Sequence, residues 1–397
     1  AWIVGGNFKN KLKIIFSNRL LAASIYFLIY FFASYLWSDS SMWNITSQKQ
    51  VLLLLLPILY TLNFDEIYIN RAKSIFILGL IFNILLSIIT IYLPSNPLFK
   101  TGHYNASLFL HGFLDHFDYS IFLCFGAFIV LSLLSGQKLW RNCLVIALLL
   151  IALFNSYGRI GIVSFFIFFP IIIRIYHPQK LYYYIVIVVL SFGLVSYYLF
   201  PPLHNRVNQT INSIKLLSSE ISLIEKIEND AIYLSSKDDT LSKEYFIKEI
   251  LNNKEWLNYI KKKQPQYETS IGQRYLYAKN SLDLIKQKPL FGFGSNQFKK
   301  EYKNRFQELK IVNHPHNNFL FILVELGIVG LLLLLNIFYC ELKLFFINKN
   351  TNVLGLVFPI YFLWIMLFDN YFLNHNTLVF FCLFSFLIYY KKNAKLN

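Results

Sequence analysis

Long apolar runs recur along this chain, and most of them are long enough to cross a bilayer as a helix, which takes about 20 residues. Candidate spans fall at 20–36, 50–63, 74–93, 118–135, 142–155, 160–175, 181–200, 318–339, 353–368 and 373–390. A transmembrane barrel would show short alternating strands instead. With 56% hydrophobic and 15% charged residues, the composition excludes an ordinary soluble enzyme, a disordered chain and a coiled coil. The sequence predicts an all-α, polytopic membrane protein.

One polar segment divides these runs into two groups. Residues 201–317 carry 19 of the 37 lysines and arginines and 13 of the 21 aspartates and glutamates. We therefore expect transmembrane helices at 1–200 and 318–397, about seven and three spans, with a mostly helical polar domain between them. Within that domain, apolar spacing and turn residues predict helices over 207–224, from near Asp239 and Thr240, over about 270–286, and over about 297–309.

The distribution of basic residues predicts the orientation. With residues 1–19 in the cytoplasm, the cytoplasmic segments hold 15 lysines and arginines, and the short outer loops hold only Lys49, Lys100 and Arg159. Cytoplasmic loops are enriched in Lys and Arg, whereas long translocated domains do not follow this rule. The polar domain is therefore predicted on the outer face of the membrane.

The most specific residues lie where the polar domain enters the eighth apolar run. His-Pro-His-Asn-Asn occupies 314–318, and Glu-Leu-Gly-Ile-Val-Gly follows at 325–330. Upstream, Arg274 precedes Pro-Leu-Phe-Gly-Phe-Gly at 289–294, and Ser-Tyr-Gly-Arg-Ile-Gly stands at 156–161. This series resembles the O-antigen ligase family, which also includes O-antigen polymerases and protein O-oligosaccharyltransferases. The layout of many spans, one long external segment and three final spans is similar as well.

The resemblance implies a GT-C-like glycosyltransferase in the bacterial inner membrane, with its active site facing the periplasm. Such an enzyme moves a glycan from an undecaprenyl diphosphate carrier to a lipid A-core hydroxyl, without metal or other cofactor. Family members usually have twelve spans. Seven spans rather than nine precede the polar domain here, so we expect two more in the full-length chain, which would preserve the orientation.

His316 is the predicted general base. It stands at the outer membrane surface, where a neutral imidazole can accept a proton from a sugar hydroxyl. A second imidazole, His314, is a further catalytic candidate that can hold a diphosphate oxygen, and either histidine can be the base. Asn317 and Asn318 are expected to cap the following helix, and Asn317 to orient His316.

Three arginines on the outer side form the predicted diphosphate site: Arg159, Arg206 and Arg274. Departure of a lipid diphosphate develops negative charge, which fixed cations stabilise. Guanidinium binds such oxygens bidentately and never loses its charge. The non-catalytic alternative for each arginine is a side chain that extends toward lipid headgroups.

No metal site is expected, because the outer carboxylates Asp39, Asp115, Asp118 and Asp369 are separated in sequence. Asp-His-Phe-Asp at 115–118 has suitable ligand types but lacks further ligands. Glu325 lies about two turns inside the membrane and nine residues after His316, which predicts nearly the opposite helix face. It is expected to pair within the bundle, with Gly327 and Gly330 admitting another helix.

Several alternatives stay open. Within the same chemistry, an O-antigen polymerase that joins lipid-linked repeat units comes second and a protein O-oligosaccharyltransferase third. From another class, a lipid-oligosaccharide flippase is disfavoured, because the sequence shows neither an internal repeat nor many charges within its spans. The basic groups at 261–263 and 299–305 alternate with acids, which favours a solvated face near membrane lipid over nucleic-acid binding. The sequence does not predict sugar identity or oligomeric state.

Overall fold

The computed structural model describes residues 2–3, 5–42, 44–92, 114–132, 139–156, 158–176, 179–218, 227–228, 231, 242–253, 255, 267–306, 312–347 and 353–390. Helices account for nearly all regular structure in these ranges. They are α1 (Phe8–Ser17), α2 (Arg19–Ala33), α3 (Ile45–Val51), α4 (Leu55–Thr61), α5 (Glu66–Tyr92), α6 (His116–Leu131), α7 (Leu139–Asn155), α8 (Arg159–Tyr176), α9 (Gln179–Leu199), α10 (Pro201–Ser218), α11 (Lys243–Asn252), α12 (Ser270–Ile285), α13 (Phe298–Arg305), α14 (Asn318–Ile347), α15 (Leu354–Ile365) and α16 (His375–Tyr389).

By length and composition, three helical stretches among the described residues can cross a membrane: Arg19–Trp37, Glu66–Ile89 and Asn318–Ile347. Shorter apolar helices lie at Phe117–Leu131, Trp140–Asn155, Val189–Leu199, Leu354–Ile365 and His375–Tyr389. The all-helical prediction is confirmed for the described residues, and the number of spans stays a prediction.

The apolar run predicted as one span at 50–63 is not one continuous helix. It contains the end of α3, a 3₁₀ turn at Leu52–Leu54, and α4. Pro57 has no N–H to donate to the carbonyl of residue 53, so the preceding turn tightens instead of continuing as an α-helix.

Two compact units divide the chain: residues 1–204 with 280–397, and residues 205–279. In the first unit, α6 packs on α7 and α8, and α14 packs on α2. The Tyr361 hydroxyl donates to the Ile121 carbonyl oxygen at 2.9 Å, which joins α15 to α6. Phe125 contacts both Tyr361 and Phe380, so aromatic rings fill the space where α6, α15 and α16 meet.

The second unit has a small apolar core formed by Ile227, Ala231, Phe246 and Ile250. Its helix α11 begins at Lys243 with Ser242 as the cap, not near Asp239 as predicted. The Ser242 hydroxyl accepts the Tyr245 N–H at 3.3 Å, as an N-cap should. Residues 238–240 lie outside the described ranges, as do parts of the predicted helices at 219–224 and 307–309.

Helix α14 is broken inside the apolar run. Gly327 has φ 65° and ψ −166°, so the carbonyl and N–H groups around it lose their helical partners. The loop 289–298 supplies replacements in four backbone hydrogen bonds: Phe293 N to Val324 O, Gly294 N to Glu325 O, Ile328 N to Pro289 O and Val329 N to Leu290 O. The break and the loop therefore form one structural element.

The glycines of this element permit close approach of the two backbones. A Cβ at Gly327 would lie 2.2 Å from the Leu290 carbonyl oxygen, and one at Gly292 would lie 2.4 Å from the Glu325 backbone. The neighbour of Gly327 is thus a loop and not another helix, which corrects the prediction for this glycine. At Gly330 an added Cβ would meet Leu326 of the same helix.

Glu325 has a structural partner that the sequence did not indicate. Its buried carboxylate accepts the Asn296 N–H at 2.9 Å and the Phe298 N–H at 3.1 Å. Phe298 is the first residue of α13, so the carboxylate satisfies an N-terminal donor and faces the positive end of that helix. The prediction that Glu325 pairs within the bundle is therefore refined: its partners are backbone N–H groups of the loop.

Candidate active site

His316 and Asp369 form the centre of the candidate site. His316 lies in the turn before α14 with φ 53°, and Asp369 lies between α15 and α16. The Nδ1 atom of His316 is 3.2 Å from Oδ2 of Asp369, with side chains 32% and 14% exposed. His316 precedes α14 and is not part of it. The prediction that Glu325 lies on nearly the opposite helix face from His316 therefore does not apply.

His314 joins this pair through its own ring. Its Nδ1 atom accepts the His316 backbone N–H at 3.4 Å and lies 3.8 Å from Oδ1 of Asp369. The two imidazole centroids are 4.4 Å apart at an interplanar angle of 67°. Both histidines therefore face one carboxylate.

Two asparagines hold the start of α14 against the Asp369 segment. Asn317 caps the helix, because its Oδ1 accepts the Leu320 N–H at 3.0 Å, and its Nδ2 donates to the Leu367 carbonyl oxygen at 3.0 Å. Asn318 does not cap the helix. Its backbone N–H donates to Met366 O, and its buried Oδ1 accepts the Phe372 N–H at 3.0 Å. These bonds fix where Asp369 lies relative to His316.

The environment of Asp369 favours the charged carboxylate. Burial raises its pKa, but the hydrogen bond with His316, the charges of both histidines and the Asn370 N–H outweigh burial, so the pKa lies below its usual value. Asp369 is therefore ionised at neutral pH and can stabilise a protonated imidazole beside it.

A cavity of about 490 Å³ opens beside the two histidines. The described residues that line it are Thr46, Lys49, Asp115, Phe117, Asp118, Asn313, His314, His316, Phe321, Asp369, Asn370, Tyr371, Leu373 and Asn374. Asp118 accepts hydrogen bonds from Asn374 and Asn376, which hold this carboxylate in the wall. Lys49 adds a cation to a cavity whose described lining carries three carboxylates.

The geometry fits proton abstraction. With Asp369 accepting from Nδ1–H of His316, the Nε2 atom carries the free lone pair and can act as a base. Asp369 then fixes the tautomer and stabilises the imidazolium that forms, which is the role of the third group in a catalytic triad.

The same three side chains can also hold a metal ion. The candidate ligand atoms of His314, His316 and Asp369 all lie within 4.8 Å of one another, and two imidazoles with one carboxylate are a common ligand set for transition metals. This group is not the Asp-His-Phe-Asp segment at 115–118 that the sequence offered as a metal site. Asp115 and Asp118 of that segment line the same cavity.

The predicted arginines are distributed over both units. Arg159 begins α8, and two residues later a Cβ at Gly161 would lie 2.2 Å from the Ser120 carbonyl oxygen of α6. Arg159 thus stands at the end of α8 that packs beside Ser120, near the start of α6. Phe117 and Asp118, also near the start of α6, line the cavity. Arg206 donates to Gln209 Oε1 at 3.0 Å within α10, and Arg274 lies in α12. Arg206 and Arg274 belong to the second unit, and their role at the diphosphate stays a prediction.

Sequence reasoning missed Asp369 and Lys49 as site residues. Both are on the predicted outer side, but 53 residues separate Asp369 from His316 and no local motif connects them. The one available signal was that an aspartate between two apolar runs is costly at a membrane surface unless it has a partner.

The chain matches the family described as O-antigen ligase over residues 144–335. This match confirms the predicted resemblance to the O-antigen ligase family. No curated protein matches the chain. The family match contains Arg159, Arg206, Arg274 and both histidines, whereas Lys49 and Asp369 lie outside it. The family match and the apolar helices together support a membrane glycosyltransferase of the ligase or polymerase type.

Proposed function

We propose that this protein transfers O-antigen polysaccharide from undecaprenyl diphosphate to a hydroxyl of the lipid A core, on the periplasmic face of the inner membrane. The contact between His316 and Asp369 carries the proposal, because a carboxylate-oriented imidazole is the group needed to activate a hydroxyl. The match to the O-antigen ligase family supports lipid-linked glycans as the class of substrate.

In the proposed reaction, Nε2 of His316 takes the proton of the acceptor hydroxyl as its oxygen attacks the anomeric carbon. The bond from that carbon to the diphosphate oxygen breaks, and its electron pair leaves with the lipid carrier. Attack opposite the leaving group inverts the anomeric configuration. Asp369 stabilises the imidazolium until the proton is released to water.

The leaving diphosphate needs cations, since its charge develops as the bond breaks. Arg159, Arg206 and Arg274 are the proposed ligands, and Lys49 in the cavity wall is a fourth. Four cations would leave no electrostatic need for a metal, so we propose a metal-independent reaction. His314, which shares Asp369 with His316, is proposed to support the base rather than to replace it.

The decisive experiment reconstitutes purified protein with purified lipid-linked glycan and lipid A-core acceptor. His316→Ala should lower the transfer rate by roughly 10²-fold or more, the usual contribution of a general base. His375→Ala is a matched control, because His375 is an exposed histidine at the start of α16 that does not line the described cavity. Equal activity of the two variants would contradict the base assignment.

An O-antigen polymerase is the second candidate, followed by a protein O-oligosaccharyltransferase, since the three differ only in the acceptor. Offering a lipid-linked repeat unit or a protein in place of the lipid A core, with the same donor, distinguishes them. Product with the lipid A core alone supports the ligase.

A further inference from the structure

A second cavity lies at the end of the helical bundle opposite His316. It measures about 560 Å³ and is lined by Ile14, Ser17, Asn18, Arg19, Tyr60, Cys340, Lys343, Leu344, Ile347, Tyr389 and Tyr390. Helices α14 and α16 begin beside the first cavity and end at this one. Since the first cavity is predicted to face the periplasm, we expect the second at the level of the cytoplasmic leaflet.

The charged side chains of this cavity have one sign. Arg19 and Lys343 both line it, and within the described part of the chain neither makes an ion pair with a carboxylate. Glu341, which follows the lining residue Cys340 in the chain, is fully buried and accepts a hydrogen bond from Ser385. The cavity therefore presents two cations that a ligand anion can reach.

The lining of the second cavity has a polar part and an apolar part, as the binding site of an amphiphilic molecule requires. The Tyr390 hydroxyl accepts the Phe64 N–H at 3.3 Å, which leaves its own proton to donate. Ile14, Leu344 and Ile347 supply an apolar side, and Ile347 is 65% exposed. Cations and a hydroxyl beside exposed aliphatic groups match a phosphate headgroup with attached acyl chains.

Helix α1 has the amphipathic character of a helix that lies at a membrane surface. Phe8, Leu12 and Phe16 repeat every four residues and are 46%, 49% and 51% exposed, so they form one exposed apolar stripe. Lys9 and Lys13 are exposed beside it. An amphipathic helix with lysines on its polar face lies in the interface of an anionic membrane, and Ile14 and Ser17 of this helix line the cavity.

We propose that this cavity binds an anionic phospholipid of the cytoplasmic leaflet, with Arg19 and Lys343 contacting its phosphate. Basic pockets between helix ends on the cytoplasmic side are suited to such headgroups. The inference concerns a separate site and does not depend on the transfer reaction.

The test titrates purified full-length protein in detergent with a fluorescent phosphatidylglycerol, and with phosphatidylcholine carrying the same fluorophore. The double variant Arg19→Gln, Lys343→Gln should bind phosphatidylglycerol roughly 30-fold more weakly, since each cation contributes about fivefold. The matched control Lys9→Gln, Lys13→Gln removes the same charge outside the cavity lining and should bind like the wild type. The charge-preserving variant Arg19→Lys, Lys343→Arg should also bind, which separates lost charge from lost folding.

Three results would overturn the proposal. They are equal binding of the two lipids by the wild type, equal weakening in the cavity and control variants, and displacement of the probe by inorganic phosphate as effectively as by unlabelled phosphatidylglycerol. The last result would indicate a small-anion site without lipid recognition.

Discussion

At the scale of single residues, His316 is set apart by its backbone. A left-handed φ costs a non-glycine residue roughly 1–2 kcal/mol, yet His316 adopts φ 53°. The hydrogen bonds of Asn317 and Asn318 to the segment 366–372 hold the chain in this turn. The turn places both imidazoles at Asp369, so local strain and the geometry of the site have the same origin.

Asp369→Asn should lower the transfer rate by about 10²- to 10⁴-fold. An amide can donate to Nδ1 of His316, which would leave the proton on Nε2 and remove the base. Asp115→Asn is the matched control, because Asp115 lines the same cavity while its carboxylate caps α6 by accepting the Phe117 N–H. Turnover of purified donor and acceptor measures both variants, and a full rate in the Asp369→Asn variant would reduce Asp369 to a structural role.

The group of His314, His316 and Asp369 makes a metal test specific. If cationic side chains stabilise the diphosphate, detergent-purified protein should keep its activity in excess EDTA. Purified substrates are needed, because divalent ions also bridge lipopolysaccharide headgroups. Loss of transfer that Zn²⁺, Mn²⁺ or Mg²⁺ restores would refute the metal-independent reaction and assign the ligand role to these three side chains.

At the scale of elements, backbone hydrogen bonds join the broken helix α14 to the loop 289–298. Ser295 is fully buried and bonded through its hydroxyl to Ser34 at 2.6 Å, so the loop also joins α14 to the end of α2. Gly294 approaches Ser38 so closely that an added Cβ would lie 2.7 Å from it. The Pro-x-x-Gly-x-Gly motif is thus explained by packing on two helices.

Gly327→Ala should destabilise the protein by at least about 2 kcal/mol, from the left-handed backbone and the clash with Leu290. Gly79→Ala in α5 is the control, because nothing lies within 4 Å of its added Cβ, and it should be neutral or stabilising by up to about 1 kcal/mol. Thermal unfolding in detergent compares them. Equal melting temperatures would show that the loop can move away at little cost.

The sequence predicts elements well where one local pattern decides them. The predicted helix at 270–286 matches α12 (Ser270–Ile285). Its signals are local, because the apolar spacing lies within the helix and Pro289 follows shortly after its end. The break at Gly327 could not be predicted in this way, since a glycine in an apolar run is equally typical of helix packing. Asp369 was missed for a related reason: its importance comes from a tertiary contact with His316.

At the scale of the whole molecule, the basic residues predict which end faces the cytoplasm. Reporter fusions after Lys138 and Lys349 should report a cytoplasmic location, and a fusion near Lys237 should report the outside. A cytoplasmic signal near Lys237 would contradict the proposed reaction, because the lipid-linked donor and His316 would then be on opposite faces. Surface labelling of single cysteines at the same positions provides an independent measurement.

The break in α14 has a consequence for how the chain enters the membrane. Gly327 lies about 14 Å along the helix from Asn318, and backbone groups left unpaired at that depth cost several kcal/mol each. A nascent α14 released alone into lipid would bear this cost together with the Glu325 carboxylate. Because the loop 289–298 is synthesised first, it is available on the outer side when α14 arrives. Insertion of this helix and its tertiary folding are therefore expected to be a single event.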